Sequence, residues 1–243
     1  MITQTKMEYI NRLVAECLSE EGDSLEMQGR FIGDEGLEAL MQADKLEGIE
    51  NLDLTKNNIT HKGILHLAQS NRLIKLKRLY VGENTIGDKG VVPLSQASFI
   101  PNLVHMDIRF NQIGPDGGMA LAQGPFKKIQ VFIVQENPIG DEALKAMAMN
   151  PGFMHVRKLN MFRTAVTDQG IKNLAKSKVF KKLKHLNLAR NILRVDAALA
   201  LANTKTLLNI ETLLMFDTFI GDKGVEALLK SDSLSKLKTL RLT

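Results

Sequence analysis

Counting back eight residues from each Asn-x-Ile word, or a close variant of it, lands on an apolar residue every time. The residues are Ile49, Leu76, Leu103, Ile129, Val156, Leu183 and Ile210, and Leu237 continues the series; the steps are 27 residues, with one of 26. Self-similarity at a fixed period of this length belongs to stacked repeats, so the chain is expected to build a one-dimensional array rather than a globule.

With that residue as position 1, position 4 reads Leu52, Leu79, Met106, Phe132, Leu159, Leu186, Leu213 and Leu240. Position 6 reads Leu54, Val81, Ile108, Val134, Met161, Leu188, Met215 and Leu242. Apolar residues at 4 and 6 between polar neighbours alternate as a strand with one buried face does. Positions 14 to 20 change to helical spacing, as in Gly90, Val91, Leu94 and in Gly224, Val225, Leu228, Leu229. Each unit therefore reads as strand, turn and helix. One such unit cannot bury its own apolar side, so neighbours must stack. A weaker first copy carries Leu25, Met27 and Ile32, with Arg30 where the later units have Asn.

Position 9 holds Asn57, Asn84, Asn111, Asn137, Thr164, Asn191 and Thr218. At the end of a strand the backbone turns away from its sheet partners. A buried carboxamide supplies both donors and an acceptor to the groups left over, whereas Thr has only part of that inventory. Position 11 (Ile59, Ile86, Ile113, Ile139, Val166, Leu193, Ile220) is expected inside. The Gly-Asp pair that follows reads as a helix start. Asp34, Asp88, Asp141, Asp168 and Asp222, with Asp116 one place later, are expected to cap their own helices. The next small residue, from Gly36 to Gly224, lets neighbouring helices approach closely.

The pattern L-x-x-L-x-L-x-x-N-x-I resembles the leucine-rich repeat. Its period resembles the ribonuclease-inhibitor-like class, and the words Gly118–Met119–Ala120–Leu121–Ala122 and Ala197–Ala198–Leu199–Ala200–Leu201–Ala202 look like the GALA-type repeats of bacterial proteins. The recurring Ser70, Ser98, Ser177 and Ser233 linkers fit bacterial arrays as well. The resemblance covers residues 22 to 243. It implies an α/β solenoid (horseshoe) with a concave parallel sheet and convex helices, about eight repeats plus a ninth strand. The many cysteines and alternating repeat lengths of the ribonuclease inhibitors are missing, and residues 1–21 hold no F-box, so neither activity is carried over.

Composition narrows the rest. Apolar residues make up 44% and charged ones 24%, the balance of a folded protein, and aromatics only 5%, which predicts an aliphatic core. The one cysteine, Cys17, excludes an intrachain disulfide and a multi-cysteine zinc site and reads as a small buried hydrophobe. There is no secretory signal and no apolar stretch long enough for a membrane span, so a cytoplasmic location is expected, with a delivered effector as the alternative. Residues 1–21 are read as an N-terminal capping helix, because Ile10, Leu13, Val14, Cys17 and Leu18 form one apolar stripe. The stripe is short and without aromatics, which argues against a membrane-surface helix, so no membrane partner is expected. At the other end, Leu240, Leu242 and the strand they mark lie beyond the last helix, an edge that a second copy of the chain could cover as a homodimer; light scattering reads this directly.

Positions 3, 5, 7 and 8 of each strand carry no core duty, so their chemistry is informative. Val131 and Ile133 put aliphatics there, flanked by Phe110 and Phe162, and Leu214 with Phe216 makes a second apolar spot. With Tyr80, His105, Asp107, Arg109 and Arg163 these residues form the expected binding surface for a protein or peptide on a non-enzymatic scaffold. No catalytic residue, cofactor site or metal site is read. His105, Asp107 and Arg109 share a face but have no Ser or Cys nucleophile, and phosphate-cradling glycine motifs are absent. Nucleic acid is the weaker alternative, and a hydrolytic enzyme a weaker one still. Lys56, Arg78, Arg109, Lys158, Arg163 and Arg190 would favour it, Asp53, Glu83, Asp107, Glu136 and Asp217 oppose it, and the lysine run 172–184 has no aromatics to stack bases.

Overall fold

The computed structural model of the chain describes residues 2–242. It opens with α1 (Gln4–Cys17) and β1 (Ser24–Glu26), and then strands and helices alternate. The helices are α2 (Gly33–Leu40), α3 (His61–Gln69), α4 (Gly87–Leu94), α5 (Pro115–Gln123), α6 (Gly140–Met149), α7 (Asp168–Ala175), α8 (Val195–Ala202) and α9 (Gly221–Leu229). The strands are β2 (Asn51–Asp53), β3 (Arg78–Tyr80), β4 (His105–Asp107), β5 (Val131–Ile133), β6 (Lys158–Asn160), β7 (His185–Asn187), β8 (Thr212–Leu214) and β9 (Thr239–Arg241).

All nine strands pair in parallel in chain order, and the register repeats the sequence period: Leu52 faces Leu79, and Leu79 faces Met106. Helices pack with axes about 8–10 Å apart, whereas strands sit about 4.8 Å apart. A layer of helices on one side of such a sheet therefore bends it, with the strands on the inner side. This is an α/β leucine-rich-repeat solenoid. The one 26-residue step leaves the register intact, since His105 still faces Val131. The missing residue is taken up where α5 ends at Gly124, between Leu121 and Phe126.

The core runs the length of the array, and positions 4, 6 and 11 line it, nearly all fully buried. It is not purely aliphatic. Phe99, Phe126, Phe132, Phe153 and Phe180 are buried, half of the chain's ten phenylalanines. Phe126, Phe153 and Phe180 stand one repeat apart in the column that Leu46, Leu73 and Leu207 fill in other coils. Phe153 lies 5.3 Å from the rings of both Phe126 and Phe132 and 6.1 Å from Phe180. Composition hid this, because the few aromatics are concentrated in neighbouring coils. At the first coil, α1 packs on α2 and buries Ile10, Leu13 and Val14, while Cys17 is only partly buried.

The asparagines do what their inventory predicts. Asn137 Oδ1 accepts from the N–H groups of Asn111 (2.9 Å) and Ile113 (3.0 Å) in the preceding coil. Its Nδ2 donates to the carbonyls of Ile108, Val134 and Gln135 at 2.9–3.3 Å. Thr164 and Thr218 only donate to the carbonyls of Met161 and Met215. In the coils just before them, the N–H groups of Ile139 and Leu193 turn back to the carbonyls of Asn137 and Asn191 instead.

The aspartates do not cap their own helices. Ile32, Ile86, Ile139 and Ile220 occupy the cap positions of α2, α4, α6 and α9 without side-chain bonds. The following Gly33, Gly87, Gly140 and Gly221 adopt φ of 59–76°, a left-handed turn that suits glycine. This shifts the Asp into the first helical turn, where it reaches the next coil. Asp34 accepts from the Thr60 N–H (2.7 Å) and hydroxyl (2.6 Å), and Asp141 does the same to Thr167. Asp88 accepts from Gly114 N–H and Asp168 from Arg194 N–H, each at 2.7 Å. The small-residue column makes room for this: a Cβ on Gly117 would meet Asp88 Oδ1 at 2.5 Å. The acids still favour the positive helix end, but their hydrogen bonds tie coil to coil.

Candidate functional site

The open face of the sheet divides into two halves of different chemistry. On β3 and β4 the Tyr80 and His105 rings lie 4.6 Å apart, tilted by 42°. Asp107, expected to face solvent, is only 4% exposed. Its carboxylate accepts from the Arg109 backbone (3.1 Å) and guanidinium (2.8 Å), and Arg109 also pairs with Glu83 at 3.5 Å. The same Asx bond, from position 5 to the N–H of position 7, recurs at Asp53, Asn160 and Asn187. Position 5 therefore has a structural duty in these coils; the bond leaves Asp53, Asn160 and Asn187 half-buried, and at Asp107 the Arg109 guanidinium is added to it.

Burial dominates the titration of this half. It raises Asp107 above the usual carboxylate range, partly countered by the Arg109 amide and charge, and it raises Tyr80. His105 is lowered to about 4 by burial, then by the like charges of Lys158 and Arg78. The ring is neutral at pH 7, and its buried Nε2 has no partner among the described residues. The protonated ring is disfavoured in the fold, so the stability it contributes is full above the unfolded value near 6.5 and is lost as pH falls toward 4. Between pH 7 and 4.5 the protein is expected to lose about 2 kcal/mol more unfolding free energy than its His105→Gln variant. Urea titrations at the two pH values check this; equal losses reject it.

The other half, on β6 to β9, is aromatic and cationic. The position-7 residues of β6, β7 and β8 are Phe162, Ala189 and Phe216. Ala189 is fully buried, and the two rings lean over it to 6.1 Å. The Arg190 guanidinium stacks over Phe162 at 5.4 Å and that of Arg241 over Phe216 at 4.8 Å. Beside them Lys158, Asn160, His185, Asn187, Thr212 and Leu214 line a groove of about 410 Å³.

The structure regroups the apolar residues. Ile133 is 8% exposed and belongs to the sheet's packing, not to a contact patch. Val131 is half-buried, and Phe110, 42% exposed, stands alone on the β4 turn, one of the position-8 residues that take a left-handed backbone (φ 51°). The expected patch of Phe110, Val131, Ile133 and Phe162 is thus dissolved, and Phe162 joins Phe216, with Leu214 in the adjoining groove. The stacking roles of Arg190 and Arg241 were missed. The available signal was Ala189, a small residue between two phenylalanines in one column.

The cations of this face are largely committed. Arg163 pairs with Glu136 (3.1 Å), Arg190 with Asp217 (3.0 Å), and Arg78 donates to Asn51 (2.8 Å). Asp107 is held by Arg109, not by His105. Among the described residues no three His, Cys, Asp or Glu side chains stand together where they could hold a metal ion, and no helix is long and apolar enough to cross a membrane.

The leucine-rich repeat family matches the chain over residues 72–95, 100–122 and 154–175, three segments that each begin in the turn before a strand and run into the helix that follows. No curated protein matches it.

Proposed function

We propose that the chain is a non-enzymatic binding module that holds a protein or an extended peptide on the open face of its sheet. Leucine-rich repeats generally mediate protein binding, and the observation that carries the reading is the Phe162–Phe216 pair with its two stacked guanidinium groups. Aromatic and arginine side chains dominate interface energetics when a rigid frame presents them. Here the frame is the hydrogen-bonded sheet, and Ala189 provides the gap into which both rings tilt. The adjacent groove adds the Asn187 carboxamide and the Lys158 ammonium, donors suited to backbone carbonyls or carboxylates.

Both phenylalanines are partly exposed and neither fills the core, so the surface can be tested without unfolding the array. Random twelve-residue peptides displayed on phage and selected on the wild-type protein should lose at least about tenfold in affinity to Phe162→Ala/Phe216→Ala, while the urea midpoint stays nearly constant. Ile133 is unsuitable for this test because it is buried. Selected peptides that bind the double variant as well as the wild type place the contact elsewhere.

A further inference from the structure

Each coil enters its strand through a tight turn, and stacking brings these turns into one row along the rim where helices end and strands begin. The row runs from Ile74–Lys75 to Ser235–Lys236, seven turns spanning about 30 Å at the strand spacing. None of its residues is acidic; the same turn one coil earlier is Glu47–Gly48, whose carboxylate pairs with Arg72 at 3.7 Å. Ile74, Met154 and Leu208 project from it 59%, 49% and 45% exposed. Between them stand the exposed pairs Lys127–Lys128 and Lys181–Lys182. Neighbouring turns are locked together: Asn209 Nδ2 donates to the Lys181 carbonyl (2.7 Å), and Lys236 Nζ to Asn209 Oδ1 (2.6 Å). Nearby Glu211 is neutralised by Lys184 (2.5 Å) and Lys238 (2.9 Å), which hold its carboxyl down to about 2. Read along the chain these are scattered lysines on a solvated face; only the stack aligns them.

We infer that this rim docks on an anionic lipid surface. Lysines whose neighbouring acids Glu47, Glu50 and Glu211 are already paired with other cations are drawn to such a surface, and aliphatic tips between them enter the headgroup layer. The row has no Phe, Tyr or Trp ring on which a base could stack, and its one imidazole, His155, is engaged by the Lys182 ammonium at 3.1 Å. The opposite rim is mixed, its helix-start acids Asp34, Asp88, Asp141 and Glu142 standing with Lys62, Lys89, Arg194 and Lys223, so the lysine row is the edge expected to face the lipid. The open sheet face then stands upright and accessible. The inference is independent of what that face binds.

Flotation with phosphatidylcholine vesicles, with and without phosphatidylserine, tests it. The protein should partition only onto the serine-lipid vesicles, and weaken by about fivefold for each lysine lost from the contact. Lys127→Glu/Lys128→Glu/Lys181→Glu/Lys182→Glu should abolish flotation. Met154→Ser/Leu208→Ser, which keeps the charge, should weaken it several-fold. All these residues are exposed, and a thermal melt verifies the fold of each variant. Three results overturn the inference: no flotation at low salt, equal flotation on neutral vesicles, or flotation indifferent to the serine pair. Capture of a single-stranded oligonucleotide at the same salt, tighter than the vesicles and unaffected by that pair, also overturns it and assigns the rim to nucleic acid.

Discussion

Phe153→Ala is expected to cost about 3–5 kcal/mol of unfolding free energy and to divide one unfolding transition into two. The ring is fully buried and touches Phe132 of its own coil and Phe126 and Phe180 of the coils on either side. Removing it opens a cavity that rigid neighbours fill only in part. The second effect follows from topology. Within each layer a strand or helix neighbours only the next strand or helix, and the core between the layers joins adjacent coils, so no distant contact holds the two ends of the array together. In such an array stability is a sum of coil terms and interface terms. Weakening the central interfaces lets the coils on each side melt separately. Urea titration followed by circular dichroism reads both effects, as a lower midpoint and a smaller apparent m-value. A loss under about 1 kcal/mol with an unchanged m-value would show that the phenylalanine column does not couple the coils.

Asn137→Ala should be comparably damaging for a polar reason. The carboxamide makes five hydrogen bonds out of water, two from the preceding coil's N–H groups and three to carbonyls. Alanine leaves the Asn111 and Ile113 N–H groups and the Ile108 and Val134 carbonyls buried and without this partner, at about 1–3 kcal/mol each before relaxation, while the Gln135 carbonyl keeps its bond from the Phe110 N–H (3.0 Å). Partial rescue by water or by turned-back bonds, as at Ile139, brings the expected total to about 3–5 kcal/mol. The reverse change tests the same logic. Thr164→Asn gives the N–H groups of Asn137 and Ile139 the acceptor they lack from the next coil, and should add about 1 kcal/mol. If Asn137→Ala costs no more than an exposed substitution such as Phe31→Ala, the ladder is not a major source of stability.

Most of the architecture is legible because it is periodic. A residue repeated at 27-residue intervals declares its role several times over, and the asparagines, the position-11 aliphatics and the strand alternation are all of that kind. What escaped depends on differences between coils. Ile133 occupies the same position as Tyr80 and Leu214, yet it lies buried between Asp107 and Asn160, and no pattern along one strand reports that crowding. The aspartates were placed one coil short, because a cap and a bridge require the same residue after the same glycine. The left-handed turn at Gly33, Gly87 and Gly140 decides between them, and backbone angles are not written in residue type alone. Phe162 and Phe216 meet across two strands, 54 positions apart, only because Ala189 stands between them.

The coil of 26 residues surrenders its missing residue at the end of α5 while the strands on both sides stay in step. The segment that climbs back to the sheet is therefore an expansion joint. Duplicating, deleting or trimming a coil there alters how long the molecule is without disturbing how its layers align. A lineage of such chains can vary its reach by whole rungs and keep every junction interchangeable.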